Sequence, residues 1–354
     1  MDSEILNNVD KRNEKFRPNP RLDDFINELR EVLEPIQEKY NEKYIGPEYP
    51  VVGVIGLSRS GTTLLSQLLA STSVFCYPSN LMSRFSYSSK LGAMIQEMIF
   101  NKDLDFRGEF ADVQSKLKME SEQGKTSGAL GINEFFHFWR RFFPTHEPQF
   151  LSQDELASVD IRKMRAEVAG IQDVFNKPFL SKIKMMQANA GFFADKMPEL
   201  LFVNIYREPR YVMQSLLTSR RAYYGVGNEK IWWGSKPSAY HFLKDRDEYD
   251  QVAGQVYYVM KEIEGELYKV DEKNKYTVKY EDLCRAPNFF IEEIVSKLPD
   301  FDSCFPSGMS SEVISEKLSG LDFSFVRNTN KDKLRSDEID KLMSSYNNFL
   351  EEGI

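Results

Sequence analysis

The chain has 354 residues and a hydrophobic fraction of 41%, enough for one large α/β domain or two modest ones with a sizeable core. A net charge of −8 and a pI near 5.3 argue against nucleic acid or an anionic membrane surface as the main partner, so any basic site is local. Cys76, Cys284, Cys304 and three histidines exclude a disulfide framework and a histidine-rich metal centre, and no apolar stretch approaches a transmembrane segment. The opening Met1-Asp2-Ser3-Glu4 lacks the basic and apolar regions of a signal peptide, which predicts a cytoplasmic protein.

Residues 1 to about 20 are polar and include Pro18 and Pro20, so an arm that is disordered or loosely packed is expected. From Leu22 to about Tyr44, Phe25, Ile26, Leu29, Val32, Leu33 and Ile36 repeat at helical spacing, although Pro35 should interrupt or kink the helix. This segment reads as a leader helix on the core, with partner binding as the alternative. Val51 to Ile55 is a β-branched run typical of a buried parallel strand, and Leu64, Leu65, Leu68 and Leu69 begin a helix. Between them, Gly56 and Gly61 allow consecutive N–H groups to turn around an anion at the positive helix end, where Thr62 and Thr63 add hydroxyls. The spacing matches G-x-x-x-x-G-K-[ST] except that Thr62 replaces the lysine and the cation, Arg59, lies inside the loop. A P-loop nucleotide kinase or NTPase is the alternative reading of this geometry, and the missing lysine argues against it.

Val74 to Asn80 suggests a second strand and turn, Leu81 to about Phe100 a mixed helical region, and residues 101–128 a solvated loop with a lid as the alternative. In Asn133 to His146, Glu134 and His137 lie three apart among aromatic residues. Desolvation there would raise the pKa of Glu134 toward that of a general base, with His137 second; the competing reading is that the aromatics are core and Glu134 pairs with Arg140 or Arg141. Phe136, Phe138 and Trp139 are candidates for the wall of an acceptor pocket. Residues 154–176 read as one helix, and Phe179 to Lys184 as a strand with Lys182 and Lys184 on one face. Leu201 to Tyr206 is a further buried strand; Arg207 follows, and Glu208-Pro209 opens a helix carrying Ser215. The aromatic, glycine-rich stretch from Ser219 to Pro237 suits an acceptor-binding loop, and His241 is a third candidate base. Tyr276 to Leu283 reads as a late strand and turn before the amphipathic run Phe289 to Leu298, and residues 325–335 read as a loop with four cations, with a solvated charge run as the alternative.

The residues R-S-G-T-T at 59–63 resemble the 5′-phosphosulfate loop of sulfotransferases that use 3′-phosphoadenosine 5′-phosphosulfate (PAPS). Arg207 and Ser215, eight apart, resemble the pair that holds the donor's 3′-phosphate, and Tyr280-Glu281-Asp282-Leu283 resembles a late scaffolding turn. The resemblance spans roughly Val51 to Leu298 in family order. It implies a three-layer, P-loop-like α/β fold with a mostly parallel central sheet flanked by helices, formed by residues 45–354 behind an arm and leader helix over 1–44. It implies that Ser58, Arg59, Ser60, Gly61, Thr62 and Thr63 hold the phosphosulfate, that Arg59 also acts in catalysis, and that no metal is required. A strand-end lysine, Lys182 or Lys184, would point at the donor, and Arg327 in the late basic loop would fold over the 3′-phosphate. Some relatives carry an acidic residue after the second strand where this chain has Ser79 and Asn80; others carry E-x-x-x-F-W, which again selects Glu134. The expected acceptor is a small molecule, lipid or glycan, and a nucleotide-binding protein that has lost its base is the non-catalytic alternative.

Overall fold

The computed structural model describes residues 8–113, 121–122, 124–145, 147–298, 316 and 334–352. Four strands form its central sheet: β1 (Val51–Ile55), β4 (Phe179–Lys182), β5 (Leu200–Tyr206) and β6 (Lys275–Lys279). A separate antiparallel hairpin is made by β2 (Ser121–Glu122) and β3 (Lys125–Thr126). The central order is β4-β1-β5-β6 and every pair is parallel, with Val51 beside Phe179 and Leu200. β1 and β4 are buried along their whole length, as parallel strands covered on both faces must be.

The pleat divides the core. Val51, Ile55, Phe179, Leu200 and Phe202 face one layer, built from the helices Ile161–Phe175, Pro209–Tyr224, Glu248–Tyr268 and Ser336–Glu352. Val52, Val54, Leu180, Leu201, Val203 and Ile205 face the helices Thr62–Ser71 and Pro287–Ser296. The result is an α/β fold of three layers. Because all four strands run the same way, Ile55, Lys182, Tyr206 and Lys279 end at one edge, which is where α/β sheets gather their ligand-binding loops.

Several local expectations are corrected. Among the described residues, Val74 to Asn80 forms no strand, making just the bridges Cys76–Phe179 and Ser79–Ile132, and Pro78 has no N–H to extend a ladder. The helix expected over 154–176 is two, Gln153–Ala157 and Ile161–Phe175, because Asp160 caps the second by accepting from the Lys163 N–H at 2.8 Å. The helix Pro20–Asn41 runs unbroken through Pro35, which is exposed, so water can reach the carbonyl that loses its donor. This helix docks partly through polar groups: Gln37 accepts from the Lys90 N–H at 3.2 Å and donates to Asn41 at 2.8 Å. Phe25, Leu29, Val32 and Ile36 remain exposed. Among the described residues, no helix is long and apolar enough to cross a membrane.

Candidate functional site

The loop after β1 is shaped by two glycines in the left-handed region, Gly56 at φ 139° and Gly61 at φ 108°. A Cβ at Gly56 would lie 2.4 Å from the Ile205 carbonyl oxygen, and one at Gly61 2.5 Å from the Tyr280 ring, so both approaches require glycine. Gly61 caps the helix Thr62–Ser71, whose first N–H groups and positive dipole end face the loop. Ser58, Ser60, Thr62 and Thr63 are buried, and Ser60 Oγ has no hydrogen-bond partner among the described residues.

Arg59 adopts φ 75°, a left-handed conformation that costs a bulky residue about 1–3 kcal/mol. Its neighbours hold it there: Arg59 Nε donates to Ser215 Oγ at 2.9 Å, and Arg207 Nη1 donates to the Arg59 carbonyl at 3.3 Å. The structure therefore brings Arg59, Arg207 and Ser215 together, with Arg59 as the link between the other two. Burial and the nearby Arg207 hold the pKa of Arg59 below its usual value. The Arg207 guanidinium stacks 4.4 Å from the Tyr280 ring centroid and lies 5.6 Å from that of Tyr211.

Both strand-end lysines are buried and turn toward the loop. Lys182 Nζ donates to Thr63 Oγ1 at 3.1 Å and to Glu134 Oε1 at 3.0 Å; Lys184 Nζ donates to Ser58 Oγ at 3.3 Å and lies 3.8 Å from Glu134. Burial pushes the Glu134 pKa up, but Lys182 and Lys184 outweigh it and hold the carboxyl at about 2. The expected upward shift is thus reversed, and the partners are these lysines rather than Arg140 or Arg141. Burial lowers the pKa of Lys184, partly opposed by Glu134.

Glu134 is placed by a bonded relay. Asn133 donates from its backbone to the Pro78 carbonyl at 2.8 Å and from its side chain to Asn80 at 2.9 Å, and accepts from the Phe135 N–H at 2.8 Å. The segment bearing Glu134 therefore runs beside Ser79 and Asn80. Phe138 and Trp139 turn into the core, where Trp139 Nε1 donates to Ser181 Oγ at 3.1 Å, so they do not wall a pocket; Phe136 is half-buried. His137 is exposed, and its charged neighbours are Arg140, Asp23 and Arg84 rather than loop groups. His241 is also exposed, edge-on to Tyr240 at 5.5 Å. Arg327 lies outside the described residues.

Two further segments meet the loop. Gln187 accepts from the Gly56 N–H at 3.4 Å and donates to Ser235 Oγ at 3.2 Å, which ties Trp232 to Ser235 to the loop; a Cβ at Gly234 would lie 3.4 Å from Ser58 Oγ. Thr63 Oγ1 donates to the Gly124 carbonyl of the hairpin at 3.3 Å. The sequence suits Ser219 to Pro237 to an acceptor-binding loop and gives a lid as the alternative for 101–128. These particular bonds, and the stacking of Tyr280 on Arg207, join residues far apart along the chain and leave no local signal. Among the described residues, no three His, Cys, Asp or Glu side chains gather as metal ligands.

The family model described as "Sulfotransferase family" matches residues 50–299, which contain this entire arrangement. The chain belongs to the sulfotransferase family. Among solved structures, this sulfotransferase is similar to one from Mycobacterium avium at 12% identity, covering 91% of this chain and 81% of that one with a TM-score of 0.50. It is also similar to a sulfotransferase from Mycobacterium tuberculosis H37Rv at 17% identity, covering 83% and 82% with a TM-score of 0.47. Comparison with curated proteins gives no significant match.

Proposed function

We propose that this sulfotransferase uses PAPS and modifies a hydroxyl or amine of a small-molecule, lipid or glycan acceptor. The observation that carries the reading is the convergence of Arg59, Lys182, Lys184 and Arg207 on one glycine-bounded loop at a helix N-terminus. A cradle that would not admit a Cβ, with a buried and unpartnered Ser60 hydroxyl, fits a polyanion held by close backbone approach. Bound there, PAPS supplies the sulfuryl group that passes to the acceptor oxygen or nitrogen, with 3′,5′-adenosine bisphosphate leaving.

In this reading the amides of residues 58–63 and the hydroxyls of Ser58, Ser60, Thr62 and Thr63 hold the phosphosulfate. Arg59, Lys182 and Lys184 offset charge that develops there, as fixed donors that need no reorganisation. Arg207 and Ser215 hold the 3′-phosphate, and Arg327 remains a proposed contributor. Glu134 accepts the acceptor's proton. An anion in the loop competes for Lys182 and Lys184, which relieves the stabilisation of the Glu134 carboxylate and raises its basicity when it is needed. His137 faces other charges and is the weaker candidate.

Calorimetric titration with 3′,5′-adenosine bisphosphate and with 5′-AMP tests the donor site. The bisphosphate is expected to bind about 10- to 100-fold more tightly, the range of a charged hydrogen-bonded contact, and Arg207→Ala should abolish the preference. Equal binding of the two nucleotides would overturn the reading. Tight bisphosphate binding without transfer to any acceptor in a broad panel would favour a non-catalytic nucleotide-binding protein.

A further inference from the structure

Beside Glu134 lies a second group of cations that the transfer step leaves unused. The segment before the leader helix runs along the end of the helix Pro209–Tyr224: Asn13 donates from its backbone to the Tyr223 carbonyl and from its side chain to the Ala222 carbonyl, both at 2.7 Å. Phe16 stacks on Tyr223 at 4.1 Å, and Tyr223 packs on Trp233 at 5.2 Å. The β2–β3 hairpin reaches the same place, joined to Thr63 through Gly124 and to Lys15 through Glu122. It sets Lys125 Nζ 5.9 Å from both the Phe16 and Tyr223 ring centroids. Arg140, on the short helix Phe136–Arg140 that follows Glu134, lies over Phe136 at 4.8 Å, and its Nε is buried without a hydrogen-bond partner among the described residues.

These groups share one electrostatic neighbourhood. Lys125 interacts with Arg12 and Glu134; Arg140 with Glu147, Arg12 and Glu134; Tyr223 with Arg12, Glu134 and Arg59. The negative charges there are already engaged, Glu134 by Lys182 at 3.0 Å and Glu147 by Lys236 at 2.7 Å. Neither Lys125 nor Arg140 forms an ion pair among the described residues. In a chain of net charge −8, cations that form no ion pair among the described residues and share the neighbourhood of Glu134, one of them set against the Phe16–Tyr223 pair, suit an anion.

We infer that the acceptor carries an anionic group, a carboxylate, phosphate or sulfate, close to the position that receives the sulfuryl group, and that Lys125 and Arg140 bind it while a ring of the acceptor lies against Phe16 and Tyr223. This rests on the proposed transfer reaction, since it takes the space beside Glu134 to be the acceptor's. Guanidinium and ammonium groups in partial exposure give modest affinity but strong discrimination between a charged and a neutral analogue.

The test compares 4-nitrophenyl β-D-glucuronide with 4-nitrophenyl β-D-glucoside, which differ by a carboxylate at C6, by calorimetry on the full chain saturated with 3′,5′-adenosine bisphosphate. The glucuronide is expected to bind about tenfold more tightly, with a preference that shrinks as salt is raised. The double variant Lys125→Gln/Arg140→Gln should bind both glycosides alike while keeping its affinity for the bisphosphate, which shows that the fold and donor site are intact. Equal binding of the two glycosides by the unmodified chain, binding of neither, or a preference that survives the double substitution overturns the inference. Failure of the nucleotide titration is a separate outcome that strikes the transfer reading itself.

Discussion

The proposed donor side of the site is assembled from the ends of parallel strands, whereas the proposed acceptor side is assembled from segments with little regular structure. Gly56 to Thr63, Lys182, Arg207 and Tyr280 each lie within a few residues of a strand end, so the register of one sheet fixes their spacing. Glu134, Lys125 and Phe16 come from an irregular stretch, a short hairpin and a single 3-10 turn near the N-terminus, and are held by scattered hydrogen bonds such as Asn133 to Asn80 at 2.9 Å. The difference teaches where change is tolerated: groups on a rigid scaffold keep a shared chemistry, while loops around it can be rebuilt for a new substrate without disturbing the sheet. Glu134 belongs to both sides, because its position comes from the loops and its charge state from the strand-end lysines.

The sharpest way to break the comparison is to remove that shared residue. Glu134→Gln should lower kcat by about 10²- to 10⁴-fold, the usual contribution of a general base, with little change in binding of 3′,5′-adenosine bisphosphate. A rate within twofold of the unmodified enzyme would move the proton transfer elsewhere, with His137 next to be tested.

A second, smaller effect isolates the lysines. With a pKa of about 2 against an ordinary 4.5, Glu134 is ionised across the neutral range, and the stability it contributes is present above pH 4.5 and lost as pH falls toward 2. Lys182→Met removes one positive neighbour while burial remains, so the carboxyl pKa must rise. The acid limb of the residual pH–rate profile should therefore move up by about one unit, since an opposite charge at contact distance is worth one or more. An unmoved limb would show that Lys182 does not govern Glu134.

What the sequence revealed follows the same division. The glycine-bounded loop after β1 and the positions of Arg207 and Ser215 were legible because strand, loop and helix are consecutive, and the periodicity of apolar residues declares each of them. The layered fold was what the resemblance to sulfotransferases carried by these segments implied, and the parallel sheet with helices on both faces agrees with it. The ionisation of Glu134 was read with the wrong sign because the aromatic neighbours in sequence suggested desolvation, while the deciding charges come from β4, 48 residues away. Phe138 and Trp139 read either as core or as pocket wall because composition cannot say which side of a short helix faces the core; the bond from Trp139 to Ser181 settles it for the core. The stretch 101–128 was read as a solvated loop with a lid as the alternative, yet its described part includes a hairpin bonded to Thr63. Contacts between distant segments leave no local pattern to read.

Tyr280 is the subtlest of these contacts, and it leads to the smallest expected effect. The turn Tyr280-Glu281-Asp282-Leu283 was read as scaffolding, but the buried Tyr280 ring lies against Gly61 on one side and 4.4 Å from the Arg207 guanidinium on the other. The ring thereby lies between the glycine-bounded loop and the arginine proposed to hold the 3′-phosphate. Tyr280→Leu keeps most of the apolar bulk and removes the ring face that orients Arg207. A cation–π contact of this kind is worth about 0.5–2 kcal/mol, so bisphosphate affinity should fall about 2- to 30-fold while 5′-AMP, which has no 3′-phosphate, binds as before. A parallel loss for both nucleotides would mean that Tyr280 supports the loop alone, and a loss for neither would mean that Arg207 holds its place without the ring.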